Sequence, residues 1–398
     1  MSPRFTVAII LSLVAAGFPL RAQVQIPLEI FASNQIGISV QLGTASTPFT
    51  YLLDTGSVGF LSASGNSSAW TGAFETISPT ESFNISYGGG GLQYTGQVAH
   101  TTVTFQTVGG GSLQVSNVRM GAITNEPYAG WNANINHIPP VAPENGRFFG
   151  TMGAGLNKSE PGNGDFTSIL GQIPLAPGLT KGFVIHTGGA ASTSATLTVG
   201  LSDEMINSFP ILLAMNPSIG TFTNDNGTSV NLYPQAQTTA NYTITKGIHH
   251  YETTANLIMD TGGLDTYLTT GTDINPPNSL LSNDQSQIVD GASFTVNVGA
   301  TQNPITSITG QPLNWVIDPT GSTAYDNLIT VFSGSSVGSL NSGIPLFYKY
   351  DVMFDTENGI IGLRAIPEPS SLALAAAGMT GILFLLRRIR QRGRAAGH

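Results

Sequence analysis

Two stretches of the sequence share one pattern: Tyr51-Leu52-Leu53-Asp54-Thr55-Gly56 and Leu257-Ile258-Met259-Asp260-Thr261-Gly262. In each, three apolar residues lead into Asp-Thr-Gly, which predicts a carboxylate at the end of a buried strand, just before a glycine bend. One copy would indicate only a turn, but two copies with the same lead-in indicate a shared role. If the bends face each other, two close carboxylates cannot both ionise, so they would hold one proton between them.

The segments around both bends predict β-structure in two similar halves. Strands are predicted before and after each bend, at residues 49–53, 58–62, 254–259 and 265–269. Further predicted elements are strands at 83–87, 94–105, 182–186, 196–199 and 346–354, and a short helix at 165–170. The repeat spacing of about 200 residues predicts two β lobes, 23–190 and 191–365, with a cleft between them.

Length and composition agree with a large all-β protein. The chain has 398 residues, of which 9% are charged and 48 are glycine, a composition typical of many strands and tight turns. Two domains of about 100–200 residues each are the expected organisation at this length. The sequence contains no cysteine, so its stability must come from core burial without disulfides.

Both ends of the chain have the composition of targeting segments. Residues 1–22 combine Arg4, an apolar run over 7–17 and a small-residue cleavage site, which predicts a secretory signal peptide. Residues 366–398 combine Pro367-Glu368-Pro369, an apolar run over 372–386 and five arginines from Arg387 onward. The apolar run is shorter than the about 20 residues that a stable spanning helix needs, and the arginines behind it would keep that end in the cytoplasm.

The charge that remains between these ends excludes some partners. Residues 23–366 contain four lysines and three arginines against 22 acidic residues, a formal net charge of −15. Since no basic patch remains, nucleic acid is not an expected partner. His249-His250 has no carboxylate at ligand spacing, so neither a metal site nor another cofactor is predicted.

Several motifs in the same order resemble the pepsin-like aspartic proteases. These are Asp54-Thr55-Gly56-Ser57, Ile85-Ser86-Tyr87-Gly88-Gly89-Gly90-Gly91, Phe149-Gly150-Thr151-Met152-Gly153-Ala154-Gly155, the second Asp-Thr-Gly, and the closing segments 343–355 and 360–363. The resemblance covers most of residues 25–365. It implies an all-β, two-lobed acid protease fold with an interlobe cleft, acting on peptide or protein substrates.

The resemblance also implies roles for individual residues. Asp54 and Asp260 would activate one water molecule, and Thr55 and Thr261 would interlock the two bends beneath them. Gly56 and Gly262 complete the bends, and Ser57 would donate a hydrogen bond to Asp54. Tyr87 and Gly88 would belong to a hairpin, the flap, that closes over the substrate.

The C-terminal segment resembles the bacterial PEP-CTERM sorting signal. That resemblance implies a Gram-negative source and an exosortase-type enzyme that cuts near Pro367-Glu368-Pro369. The protein would then be anchored in the membrane transiently and reach the cell surface or extracellular matrix. An ordinary C-terminal membrane anchor is the alternative.

Three departures from the protease pattern leave two functions open. The position that matches Ser57 in the second copy is Gly263, which removes a hydroxyl partner from Asp260. Leu61 replaces a tryptophan that usually supports the flap tyrosine, and the segment 339–343 is less apolar than its counterpart behind Asp54. The sequence therefore predicts either an exported aspartic endopeptidase or an inactive relative that binds partners in a surface matrix.

Overall fold

The computed structural model describes residues 23–31, 35–87, 92–189, 192, 194–271, 276–289, 292–297, 313–316, 329–333 and 338–366. The predicted signal peptide, the glycine tip at 88–91 with Gly88, and the C-terminal segment from residue 367 lie outside these ranges. Within them, no helix has both the length and the apolar character that crossing a bilayer requires.

The first half of the described chain is almost entirely β-structure. Its strands are β1 (Val24–Phe31), β2 (Gln35–Leu42), β3 (Phe49–Asp54), β4 (Val58–Ala63), β5 (Thr76–Tyr87), β6 (Leu92–Gln106), β7 (Ser112–Ile123) and β8 (Gly150–Ala154). One short helix, α1 (Trp131–Ile135), lies between β7 and β8.

The second half of the described chain is also mainly β-structure, with shorter strands. They are β9 (Thr180–His186), β10 (Ser194–Leu201), β11 (Ile211–Ala214), β12 (Gly220–Thr223), β13 (Ser229–Leu232), β14 (Thr238–Lys246), β15 (His249–Ile258), β16 (Thr266–Thr270), β17 (Ser293–Asn297), β18 (Leu313–Val316), β19 (Ile329–Ser333), β20 (Ser339–Asn341), β21 (Tyr350–Asp355) and β22 (Ile360–Ala365). The helices are α2 (Asp203–Asn207) and α3 (Pro345–Lys349).

Among the described residues, two large sheets and one hairpin account for these strands. The larger sheet has the order β11-β22-β21-β9-β10-β1-β2-β3-β8-β4-β7-β6-β5, so it joins strands from both ends of the chain. The smaller sheet has the order β18-β17-β14-β15-β20-β16-β19, and β12 pairs with β13. The strands β9, β10, β21 and β22 connect the two halves of the molecule, which gives the two-lobed, all-β arrangement predicted from the sequence.

Each lobe contains the same three-strand unit. In the first lobe, β8 lies between β3, to which it is parallel, and β4, to which it is antiparallel. In the second lobe, β20 lies between β15 and β16 with the same directions. The unit carries the Asp54 bend between β3 and β4, and the Asp260 bend between β15 and β16. The weak sequence repeat is therefore a repeat of structure.

Apolar burial holds the two bends in position. Leu53 and Leu257, which precede the two aspartates, are both 0% exposed, and Met152 packs from β8 with no exposure. Full burial of an aliphatic side chain stabilises the folded state by roughly 1.5–3 kcal/mol. The strand that delivers each carboxylate is thus fixed by its neighbours.

Three sequence-based assignments need correction. The strand predicted at 346–354 begins only at Tyr350, because Pro345 opens a helix that ends at Lys349. Proline fits the first turn of a helix, where its missing N–H is not needed. The helix predicted at 165–170 is a 3-10 turn over Ile169–Gln172. Residues 62–80 are small and polar, which predicts a loop, but the chain already becomes a strand at Thr76.

Candidate active site

The Asp54 and Asp260 carboxyl groups lie together where the two lobes meet. A methyl group added to Gly56 would lie 2.6 Å from each carboxyl oxygen of Asp260. A methyl group added to Gly262 would likewise lie 2.6 Å from Oδ1 of Asp54. Each carboxyl group therefore packs against the glycine of the opposite bend, and only glycine leaves the space for it.

The two threonines interlock the bends through reciprocal hydrogen bonds. The Thr55 hydroxyl donates to the Met259 carbonyl at 2.8 Å and accepts from the Thr261 amide at 3.0 Å. The Thr261 hydroxyl donates to the Leu53 carbonyl at 2.6 Å and accepts from the Thr55 amide at 3.0 Å. These four bonds cross between the lobes and fix the relative position of the two carboxyl groups.

The two carboxyl groups receive different hydrogen bonds. Oδ1 of Asp54 accepts from the backbone amides of Gly56 and Ser57, at 2.9 and 3.1 Å. Oδ1 of Asp260 accepts from the Gly262 amide at 2.7 Å, and Oδ2 of Asp260 accepts from Nδ2 of Asn341 at 2.6 Å. A side-chain amide therefore donates to Asp260 at a short distance, whereas the two measured donors to Asp54 are backbone amides.

Burial and the second carboxyl group raise the pKa of Asp54 well above its usual value. The larger cause is burial, since Asp54 is 6% exposed, and the next is the charge of Asp260. Ser57 and the Gly56 amide act in the opposite direction because they stabilise the ionised form. The pair thus favours a protonated Asp54.

Tyr87 lies at the end of β5 and points into the site. Its hydroxyl is buried close to the Ser57 hydroxyl and to the Asp54 carboxyl group, although neither hydroxyl makes a hydrogen bond of standard geometry within the described residues. The Tyr87 ring meets the Tyr94 ring edge to face, with 5.4 Å between their centres. Tyr94 therefore supports Tyr87 from β6, whereas the resemblance implied a tryptophan support at the position of Leu61.

The structure changes the interpretation of Gly263 and the segment 339–343. The sequence indicated that both weaken the support of Asp260. Instead, Asn341 from this segment donates to Asp260, and the Ser342 hydroxyl accepts from the Asp260 amide at 3.4 Å. These residues are 81 and 82 positions from Asp260 along the chain, so sequence reasoning missed them.

Glu144 is a second buried carboxyl group beside the cleft, and sequence reasoning missed it too. Tyr94 donates to its Oε2 at 2.9 Å, and Tyr128 also bonds to it. Burial raises the pKa of Glu144 to about 7, against the opposing effect of the two tyrosines. Its position in a loop rich in proline and asparagine gave no signal of burial.

A cleft of about 1090 Å³ runs over the aspartate pair. Both lobes line it: Leu52, Ile85 and Tyr87 on one side, and Leu264 and Phe332 on the other. Within the described residues, no group of three or more His, Asp or Glu side chains could hold a metal ion.

Two β lobes that each contribute an Asp-Thr-Gly bend to a common cleft define the fold of the pepsin-like acid proteases. The structure is similar to the crystal structure of the aspartic proteinase from Irpex lacteus, with a TM-score of 0.54 and 16% sequence identity. The similarity covers 86% of this chain and 97% of that one. No curated protein matches the sequence.

Residues 365–390 match the PEP-CTERM protein-sorting motif. The match confirms the sorting signal predicted at the C-terminus. The motif implies recognition by an exosortase-type enzyme, and it identifies the chain as an exported, surface-directed protein of Gram-negative bacteria.

Proposed function

We propose that this protein is an exported aspartic endopeptidase that hydrolyses peptide bonds with a water molecule held between Asp54 and Asp260. The observation that carries the proposal is the interlocked pair of bends, which brings two carboxyl groups from opposite lobes into one cleft. Two carboxyl groups that interact in one buried site share a proton and so supply an acid and a base in one place.

In the first step, water attacks the carbonyl carbon of the scissile peptide bond. Asp260, the ionised member, takes a proton from the water, while protonated Asp54 donates its proton to the carbonyl oxygen. The raised pKa of Asp54 supports this assignment because it keeps that carboxyl group protonated. The product of the step is a neutral tetrahedral diol, and no covalent bond to the protein forms.

In the second step, the diol breaks down to the two products. Asp260 gives its proton to the amide nitrogen, the carbon–nitrogen bond breaks, and a diol hydroxyl returns a proton to Asp54. The net change is the addition of one water molecule to one peptide bond. The site then has its starting protonation state, with Asp54 protonated and Asp260 ionised.

The cleft supports an extended peptide or protein as substrate. Its length across both lobes and its apolar side chains suit several consecutive residues of an extended chain. The hairpin of β5 and β6 that carries Tyr87 borders the cleft, where it can close over the bound chain. We place the activity at the cell surface or in the extracellular matrix, after the sorting motif has been processed.

Proteolysis by the purified full-length protein between pH 2 and 7 tests the proposal. Replacing either aspartate, as in Asp54→Asn or Asp260→Asn, should reduce kcat/KM by at least about 10³-fold, because each step needs both groups. An exposed carboxylate provides the control, Asp284→Asn, which should retain full activity. A pepstatin-type inhibitor should block cleavage.

Two results would reject the proposal. Cleavage that survives Asp54→Asn would exclude the paired-carboxylate mechanism. If the wild-type protein cleaves nothing at any pH, the alternative of a non-catalytic matrix-binding protein gains support.

A further inference from the structure

The bend around Asp260 lacks a side chain that the bend around Asp54 has. Ser57 follows Asp54 by three residues, and the equivalent position after Asp260 is Gly263. A methyl group added to Gly263 would lie 3.3 Å from Oδ2 of Asp260. A hydroxyl group there would reach the outer oxygen of the carboxylate, but glycine supplies no donor.

Asn341 fills this space from a different strand. Its Nδ2 donates to Oδ2 of Asp260 at 2.6 Å, while its Oδ1 accepts from the Gly343 amide at 2.9 Å. Because the backbone N–H can bond only to the oxygen end, this second bond fixes the orientation of the amide. The –NH₂ group therefore faces the carboxylate.

The register of the sheets shows how Asn341 reaches the site. In the first lobe, Leu52 on β3 pairs with Thr151 on β8. In the second lobe, Ile258 on β15 pairs with Asn341 on β20. Leu52 and Ile258 each lie two residues before their aspartate, so Asn341 occupies the position that Thr151 has in the first lobe. The longer asparagine side chain reaches a carboxyl oxygen from this strand.

We infer that Asn341 is a positioning residue that replaces the missing hydroxyl group at Gly263 and keeps Asp260 as the ionised member of the pair. The inference deepens the proposed function and rests on it. An amide –NH₂ can only donate, so it stabilises a carboxylate and offers nothing to a carboxylic acid proton. A hydroxyl group can donate or accept, so it discriminates less between the two states. Asn341 therefore biases the shared proton toward Asp54.

The pH profile of kcat/KM tests this role, because its acid limb reports the ionisation of the free site. In Asn341→Ala the carboxylate loses a donor, so the acid limb should move upward by about 1–2 pH units. The double variant Asn341→Ala/Gly263→Ser restores a hydroxyl donor beside Oδ2 and should move the limb back toward the wild-type position.

Asn231→Ala is a matched control. It removes a similar amide bond, from Nδ2 of Asn231 to the Thr356 carbonyl at 3.1 Å, and it should leave the limb in place. A merely structural role for Asn341 would lower activity equally at every pH. An acid limb that does not move in Asn341→Ala, or one that the serine does not restore, overturns the inference.

A second measurement separates this inference from the proposed function. Selective ¹³C labelling of the aspartate carboxyl groups allows NMR titration whether or not the protein cleaves peptides. Asn341→Ala should raise the lowest apparent pKa of the aspartate pair by the same 1–2 units, and Gly263→Ser should reverse the shift. If wild-type protein is inactive but this shift occurs, the proposed function fails and the positioning role stands. If the titration does not change, the positioning role fails.

Discussion

Asp54 and Asp260 occupy the same kind of bend but differ in what surrounds their charge. Asp54 receives two backbone N–H groups on one oxygen, and the side chains of Ser57 and Tyr87 lie close to its carboxyl group. Asp260 receives donors on both oxygens, one of them the Asn341 amide. Identical local sequence therefore gives two carboxyl groups with different hydrogen-bond partners.

Glu144 should make the stability of the protein depend on pH. Its folded-state pKa of about 7 exceeds the unfolded value of 4.5, so its favourable contribution is complete below pH 4.5 and is lost as pH rises through 7. Relative to Glu144→Gln, the wild-type free energy of unfolding should fall by roughly 3 kcal/mol over that range. Urea denaturation at a series of pH values measures the difference.

Tyr94→Phe serves as the control for this interpretation. It removes the hydrogen bond that opposes the rise in the Glu144 pKa, so the loss of stability should extend to higher pH. If the difference in free energy of unfolding between the wild type and Glu144→Gln stays constant from pH 4 to 8, the raised pKa of Glu144 is contradicted.

At the scale of secondary-structure elements, the site depends on two identical three-strand units joined by the threonine bonds. In each unit a strand ends at the bend and a parallel neighbour, β8 or β20, supports it. Thr55 and Thr261 are 1% and 0% exposed, so their hydroxyl groups and the backbone groups they bond have no access to water. The junction between the lobes is thus a buried polar network, and loss of any one of its hydrogen bonds would leave a buried polar group without a partner.

Thr55→Val should destabilise the folded protein by about 2–4 kcal/mol. Valine has the shape of threonine but leaves the Met259 carbonyl and the Thr261 amide buried without a partner. Thr223→Val is the control, since its hydroxyl bonds to Ser229 on an exposed hairpin and its loss should cost less than about 1 kcal/mol. Equal shifts of the urea midpoint in both variants would contradict the interlock.

At the scale of the whole molecule, the larger sheet runs from the first lobe into strands near the C-terminus. Asp351 on β21 is 3% exposed and accepts from Nε and Nη2 of Arg364 on β22, at 3.0 and 2.7 Å. His186 on β9 is also paired with Asp351, so three neighbouring strands are tied by one buried carboxylate.

His186 should stabilise this sheet mainly at acid pH. Its hydrogen bond to Asp351 raises the His186 pKa above 6.5, so its contribution is complete below that value and is lost as pH rises through the folded-state pKa. His186→Gln should therefore lower the thermal midpoint at pH 5 and have a smaller effect at pH 9. In an Asp351→Asn background the same replacement should show no such pH dependence, and an effect that persists there would contradict the pairing.

The sequence predicted those features that depend on local pattern. The two bends, the strands that deliver them and the terminal sorting motif are each encoded within a few consecutive residues. The support of Asp260 by Asn341 was not predictable, because it depends on the register of β20 beside β15 and on a glycine 78 residues earlier. The sequence at 339–343 is less apolar than its counterpart in the first lobe, which suggested a degraded motif. In the tertiary structure, however, the polar side chains of this segment have defined hydrogen-bond partners.

The burial of Glu144 also could not be predicted, since a loop without periodicity gives no indication of which residue faces inward. The helix Pro345–Lys349 was missed for the opposite reason. Its apolar residues Leu346, Phe347 and Tyr348 are buried like those of a strand, and a run this short fits either element.

The amide of Ile366 donates to the Lys349 carbonyl at 2.9 Å, so the hydrogen-bonded body extends into the first two residues of the sorting motif. Strand β22 and the motif thus follow each other without a spacer. Trimming at Pro367-Glu368-Pro369 would spare every strand of the described residues, whereas a cut within residues 360–365 would interrupt β22, an interior strand of the sheet that joins the lobes. Removal of the sorting motif would therefore leave the fold intact only if the chain is cut after residue 366.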